Sequence, residues 1–381
     1  MKPDHFANAA LLPNMAEATR LTRAGRLSEA SALIQAALAG HPSRGAGPTP
    51  PGPALDLVPE RPRLASTPPG PAAKARPARP LPSDAGKPGS FTEQTYTSPA
   101  GTLAYRLYVP AGATAGMPLV VMLHGCTQSP EDFARGTGMN RLADALGFFV
   151  AYPRQSRAAN SQKCWNWFRP GDQQRDRGEP ALIAGATRQV IAAHRADPGR
   201  VYVAGLSAGG AAAAVMAAAY PDLYAAVGVH SGLACGAARD LPGALGAMKN
   251  GGGRARPVPR AGRFVPVITF HGDRDATVDE INSREIVAAA AAAAAARGAL
   301  QTRSEASSSR AGRRYTREIS TDAAGLALIE RWTIHGAGHA WSGGDSSGSY
   351  TDPGGPDASR EMLRFFLQHR LAAAEGPIPT P

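Results

Sequence analysis

The sequence predicts an α/β fold: a mostly parallel sheet wrapped on both faces by helices, preceded by an N-terminal helix and a disordered linker. Three observations carry that expectation. From about Phe91 onward, short apolar runs alternate with segments of helical pattern, separated by glycine or proline. The runs are continuous rather than alternating in polarity, so both faces of each strand must be covered. The alternation persists to about residue 371, long enough for one large domain with a substantial core.

Residues 1–40 form an N-terminal helical segment. Within it 15–39 (MAEATRLTRAGRLSEASALIQAALA) reads as one helix or a pair hinged near Gly25, with Leu27, Ala30, Ile34 and Leu38 on one face. It looks like half of a tetratricopeptide unit but has no second copy, so a docking helix is expected rather than a solenoid. Residues 41–90 are a Pro/Gly/Ala-rich linker, since 14 of the 34 prolines fall between Pro42 and Pro88. The domain at 91–372 then offers strands at 118–125 (PLVVMLHG), 148–153 (FFVAYP), 200–205 (RVYVAG), 225–230 (AAVGVH), 265–272 (VPVITFHG) and 327–336 (ALIERWTIHG). Helices are expected near 137–146, 180–196, 208–220, 279–298 and 357–371. The polar, serine-rich 299–317 reads as an excursion between helix and strand, and 373–381 as a flexible tail.

Composition narrows the function. Hydrophobic residues at 43% and charged residues at 19% exclude wholesale disorder. The net charge of +11 is diffuse: basic residues exceed acidic ones by 11 to 6 through Ser90, and no run of five basic residues occurs. Nucleic-acid binding is therefore not expected. Three cysteines, Cys126, Cys164 and Cys235, rule out a disulfide scaffold and a multi-cysteine zinc site. Asp4 and His5 precede an apolar stretch (Ala9 to Leu12) too short for a signal peptide, and no segment approaches a membrane span of ~20 apolar residues. A cytoplasmic protein with no membrane partner is the expectation.

Two segments fit the nucleophile-elbow pattern G-x-S-x-G, and context separates them. Ser207 in Gly205-Leu206-Ser207-Ala208-Gly209 follows a strand and opens a helix, as the elbow requires; its other reading is a helix N-cap. Ser346 in Gly344-Asp345-Ser346-Ser347-Gly348 has polar loop on both sides. A serine needs a base and donors for the oxyanion. His339 is the chosen base, on a glycine-rich loop past the last strand; His335, at the strand's end, is the rival. After 265–272 either Asp273 or Asp275 could orient the imidazole, and the H-G-x-x-D pattern favours Asp275, with Asp273 as a turn residue. The backbone N–H of Ala208 is one expected oxyanion donor, and that of Cys126, after the turn at Gly125, the other. No cofactor and no metal are expected, because no cluster has metal-ligand spacing; Asp345 and Asp352 would hold a cation only by chance.

Together HGCTQ, CWNWF, GLSAGG, HGDRD and GHAWSGG resemble the polyhydroxybutyrate-depolymerase-type esterases, relatives of feruloyl and acetylxylan esterases, over about residues 93–371. The resemblance implies an α/β-hydrolase fold and ester hydrolysis through Ser207, Asp275 and His339. The substrate it implies is poly- or oligo(3-hydroxybutyrate). In secreted relatives cysteines near the site are often bridged, so the resemblance leaves room for a Cys126–Cys164 disulfide, whereas a reducing cytoplasm would keep both as thiols. An extracellular location is the alternative.

The sequence runs only a few residues past its last expected helix, and a polymer-binding domain like that of secreted depolymerases is not expected. Oligomers, amorphous granules or small esters are therefore expected over crystalline polymer. Trp165, Trp167 and Trp341 are candidates to line a substrate groove, Trp341 first for its closeness to His339; core anchoring is the competing reading. A carbohydrate esterase is the same-class alternative. A peptidase with a propeller lid has too little sequence before the domain. From another class, the protein could act at a polyester-granule surface through residues 15–39 with a weak hydrolase domain.

Overall fold

A computed structural model of the chain describes residues 89–253, 263–296 and 298–372. The helix expected at 15–39, the linker up to residue 88 and the tail at 373–381 lie outside the described residues. In chain order the strands are β1 (Ser90–Ser98), β2 (Gly101–Val109), β3 (Leu119–Leu123), β4 (Phe149–Pro153), β5 (Val201–Leu206), β6 (Ala226–His230), β7 (Val267–Gly272), β8 (Gln301–Ser308), β9 (Arg314–Thr321) and β10 (Ala327–Ile334). They form one sheet in the order β1-β2-β4-β3-β5-β6-β7-β10-β9-β8. The run β4-β3-β5-β6-β7-β10 is parallel, flanked at each edge by antiparallel strands.

Every residue of β3, β4, β5, β6 and β7 is buried, which is why these strands read as unbroken apolar runs. Because side chains alternate across a strand, neighbours such as Val120 and Val121 feed different cores. On one face Val121, Val203 and Val227 pack with α3 (Gly178–His194) and α4 (Ala208–Ala219). On the other Val120, Tyr202 and Phe270 pack with α2 (Met139–Leu146) and α7 (Ala358–Phe366). The remaining helices are α1 (Pro130–Thr137), α5 (Leu241–Asn250) and α6 (Ile281–Ala295). A small pair, β11 (Trp341–Ser342) with β12 (Thr351–Asp352), closes the loop after β10.

Several elements depart from the sequence expectations. The excursion at 299–317 is largely the β8–β9 hairpin, and every residue of β8 is exposed, so no apolar face announced it. The β1–β2 hairpin begins at Ser90, where no strand was expected, and β1 carries only a half-buried polar pattern. The helix near 137–146 starts at Met139; Gly138, at φ 62°, separates it from α1. Helices α1 and α5 were not among the expected helices; each opens on a side-chain cap, Ser129 or Asp240, with a proline in its first turn. Among the described residues no helix is long and apolar enough to cross a membrane.

Candidate active site

The parallel strands deliver their C-terminal ends to one edge of the sheet, and the chemistry-bearing residues collect there. Ser207 sits between β5 and α4 with φ 58° and ψ −120°, a strained conformation for a residue with a side chain. The glycines around it make the turn possible. A Cβ on Gly205 would lie 2.3 Å from the Gly209 carbonyl oxygen, and one on Gly209 would lie 2.0 Å from that of Leu123. Only two bare backbones can pass so closely. Ser207 N–H donates to the His230 carbonyl at 2.9 Å, tying the turn to the end of β6.

Asp275 and His339 arrive from the loops after β7 and β10. Asp275 Oδ2 lies 2.7 Å from His339 Nδ1, while Asp275 Oδ1 accepts from the amides of Thr277 and Val278, both at 2.9 Å. His271 Nε2 donates to the Val278 carbonyl at 2.8 Å and lies 3.5 Å from Asp275 Oδ2. Burial alone would raise the Asp275 carboxyl, but the hydrogen bonds from His271, His339 and Val278 outweigh it and hold the carboxyl well below the usual range. An ionised carboxylate only accepts, so His339 carries its proton on Nδ1 when neutral and leaves Nε2 as a base. Ser207, Asp275 and His339 thus share one sheet edge, and the Asp275–His339 bond is made. No hydrogen bond joins Ser207 Oγ to His339 among the described residues, an arrangement common before substrate binds.

The oxyanion side is built from β3. A Cβ on Gly125 would lie 3.6 Å from Ser207 Cβ, so the Gly125–Cys126 turn packs directly on the nucleophile. His124 determines how that peptide points. Its Nε2 accepts from the Gln155 amide at 3.1 Å, which leaves Nδ1 as the donor to the Gly125 carbonyl at 2.8 Å. Burial pushes the His124 imidazole down to about 4, so the neutral tautomer persists near neutrality. In a trans peptide C=O and N–H point oppositely, so drawing the Gly125 carbonyl toward His124 aims the Cys126 N–H away from it. The second expected donor, Ala208 N–H, is the first residue of α4, where the helix leaves its leading amides free for a partner. Cys126 is bonded to Cys164 in a disulfide, locking this turn to the CWNWF loop.

Three candidate substrate contacts are corrected by the structure. Trp165, Trp167 and Trp341 are all buried. The Trp165 indole donates to the His124 carbonyl at 3.1 Å; that of Trp341 donates to Ser359 Oγ at 3.0 Å, with its ring stacked on His230. Their rings are core anchors of the loops around the site and present no face to a substrate. An aromatic that does reach the surface is Tyr350, 47% exposed, whose hydroxyl lies 3.3 Å from Thr127 Oγ1. Both residues take positive φ, 53° and 66°, and neither was signalled by periodicity or motif. Ser346 lies exposed on a loop that hydrogen-bonds α1 through Asp345 N–H and the Gly136 carbonyl.

The sheet order, the elbow and the Asp–His pair define an α/β hydrolase. The profile of the esterase PHB depolymerase family matches residues 103–319, and the chain belongs to that family. It is 35% identical to poly(3-hydroxyalkanoate) depolymerase C of Paucimonas lemoignei over 270 residues, 67% of this chain and 60% of that enzyme. Over 138 residues it is 33% identical to acetylxylan esterase A of Talaromyces purpureogenus, 36% of this chain and 35% of that one. The chain thus spans 60% and 35% of these two relatives' lengths, less than two thirds of either. Among solved structures, an acetyl xylan esterase from Aspergillus awamori superposes with a TM-score of 0.56 at 21% identity, covering 73% of this chain and 99% of that chain.

Proposed function

We propose that the protein is a serine esterase that hydrolyses carboxylic esters of poly- or oligo(3-hydroxybutyrate) through an acyl-enzyme on Ser207. The observation that carries this reading is the Asp275–His339 hydrogen bond, held at the sheet edge that also presents the strained Ser207. The depolymerase similarity supports the choice of ester. His339 Nε2 takes the Ser207 proton as Oγ bonds to the ester carbonyl carbon. The carbonyl oxygen becomes an oxyanion facing the Cys126 and Ala208 amides. Collapse breaks the ester C–O bond, His339 returns the proton to the leaving alkoxide, and the alcohol departs. Water then repeats the sequence on the acyl-enzyme with His339 as base and releases the acid.

The test is hydrolysis of amorphous polyhydroxybutyrate, p-nitrophenyl butyrate and methyl ferulate side by side, with Ser207→Ala as control. Release of 3-hydroxybutyrate that vanishes in the variant supports the reading. Ferulate release without it would move the protein to the feruloyl and acetylxylan type that the fungal relatives' names describe. Residues 15–39 are proposed as a granule contact, checked by comparing granule partition with and without residues 1–89. The Cys126–Cys164 bridge supports an oxidising, extracytoplasmic location over the cytoplasmic expectation, because such bonds persist where thiol reductants are absent.

A further inference from the structure

Glu179, in the first turn of α3, is half-buried, with its carboxylate held by polar partners, and lies outside the catalytic residues named above. Its carboxylate accepts from three donors: Gln155 Nε2 at 2.5 Å, Asn166 Nδ2 at 2.6 Å and Asn166 N–H at 2.8 Å. Burial and the nearby Asp172 carboxylate push the Glu179 carboxyl up to about 7 against those hydrogen bonds. A group this costly is a poor choice for filling space, where an apolar side chain would be cheaper.

Its partners lead to the oxyanion turn by two routes. Gln155 Nε2 bridges Glu179 to the Cys164 carbonyl at 3.1 Å, and the Gln155 amide donates to His124 Nε2. Asn166, held at both backbone and side chain, follows Trp165, whose indole grips the His124 carbonyl. His124 is therefore fixed at its ring and at its backbone by groups that Glu179 orders, and its Nδ1–H sets the Gly125–Cys126 peptide.

We propose that Glu179 is a positioning residue for the oxyanion donor, acting through Gln155, Asn166 and His124 to aim the Cys126 N–H. The inference rests on the esterase reading above. An amide at position 179 must place its NH2 either at the Oε1 site, facing Gln155 Nε2 and Asn166 Nδ2, or at the Oε2 site, facing the Asn166 N–H, and either way a donor of the network is left unmatched. The donor that matters only when the oxyanion forms would then be misaimed, while substrate binding before attack is untouched.

The test is steady-state hydrolysis of p-nitrophenyl butyrate by Glu179→Gln and, separately, Gln155→Leu, together with inhibition by an alkyl trifluoromethyl ketone. That ketone bonds to the nucleophile and places an oxyanion in the same site. The expected result is kcat lower by about 10-fold with KM within about 2-fold, and the inhibitor's Ki raised by the factor that kcat loses. A role confined to stability would lower the unfolding temperature and leave kcat and Ki per folded molecule unchanged, which overturns the inference. A loss expressed wholly in KM overturns it as well. Should Glu179→Gln not fold, Gln155→Leu, which breaks the same link from its other side, carries the same expectation. A wild-type protein without esterase activity overturns the functional reading and this inference with it, whereas an active wild type with indifferent variants overturns this inference alone.

Discussion

Two aspartate–histidine pairs join the loop after β7 to the loop after β10, and they differ in what surrounds them. Asp275–His339 and Asp273–His335 both use Nδ1 and Oδ2, at 2.7 and 2.9 Å. Asp275 has a side chain wholly removed from solvent and is fed by two backbone amides, with His271 alongside. Asp273 and His335 are 35% and 32% exposed, and Asp273 Oδ1 accepts from the Gly336 amide. The decisive contrast is at the other ring nitrogen. His335 Nε2 is already engaged with Thr316 Oγ1 at 2.8 Å, while no hydrogen bond is formed at His339 Nε2 among the described residues. Residue type and spacing produce both pairs; the second nitrogen's partner leaves one open to the proposed proton transfer and makes the other a clamp between loops.

The largest effects should fall on the inner pair and its serine. Ser207→Ala is expected to lower kcat by 10³-fold or more, toward the residual catalysis of the oxyanion site, while Ser346→Ala stays within about 2-fold. Asp275→Asn should cost about 10⁴-fold, because an amide no longer enforces the Nδ1 proton on His339. Steady-state kinetics on one soluble ester checks all three. Equal losses at Ser207 and Ser346 would mean that the elbow had been misplaced.

The same contrast explains what the sequence could disclose. The elbow was legible because it lies between a fully apolar strand and an alanine-rich helix, so the order of elements identified Ser207 over Ser346. His339 and Asp275 were legible as loop residues after late strands. The tryptophans were misread because composition marks an aromatic cluster but not which way a ring points; buried indoles donating to His124 and Ser359 are invisible in one dimension. The positioning of His124 by Gln155 and Glu179 depends on residues 31 and 55 positions away, with no shared motif. His124, His230 and His271 do share one signal, each standing at or just past the end of an apolar strand. The β8–β9 hairpin escaped because every residue of β8 is exposed, and it is held to β9 by ladder bonds and polar contacts such as Thr302–Ser320 and Arg317–Glu305, with no apolar face of its own.

An intermediate effect is expected at the disulfide. Cys126 carries the proposed oxyanion N–H, and its bridge closes a loop across a separation of 38 residues. Replacing both cysteines by serine should lower stability by about 2–4 kcal/mol and, by loosening the turn, lower kcat by about 10-fold. Denaturant unfolding and kinetics on the folded variant separate the two. Unchanged kcat would leave the bridge as a staple only.

The smallest effect should belong to the outer pair, and pH distinguishes it from a relay. Partial burial would raise the Asp273 carboxyl, but its hydrogen bonds to His335 and Gly336 prevail and hold it below the ordinary value of 3.8. A carboxyl depressed on folding stabilises the protein above its unfolded pKa, and that stabilisation disappears as pH falls through the folded value. Asp273→Asn should therefore lower stability by no more than about 1 kcal/mol at pH 7, as for other solvent-accessible pairs. The gap between variant and wild type should close as the solution is acidified below pH 3.8. Activity at pH 7 should change by about 2-fold or less, since His335 Nε2 is committed to Thr316 and has no proton to exchange with the nucleophile. Denaturation curves at both ends of that range, with kcat at pH 7, make the measurement. A kcat loss beyond about 10-fold with an undiminished melting temperature would place Asp273 in the relay and dissolve the distinction between the two pairs.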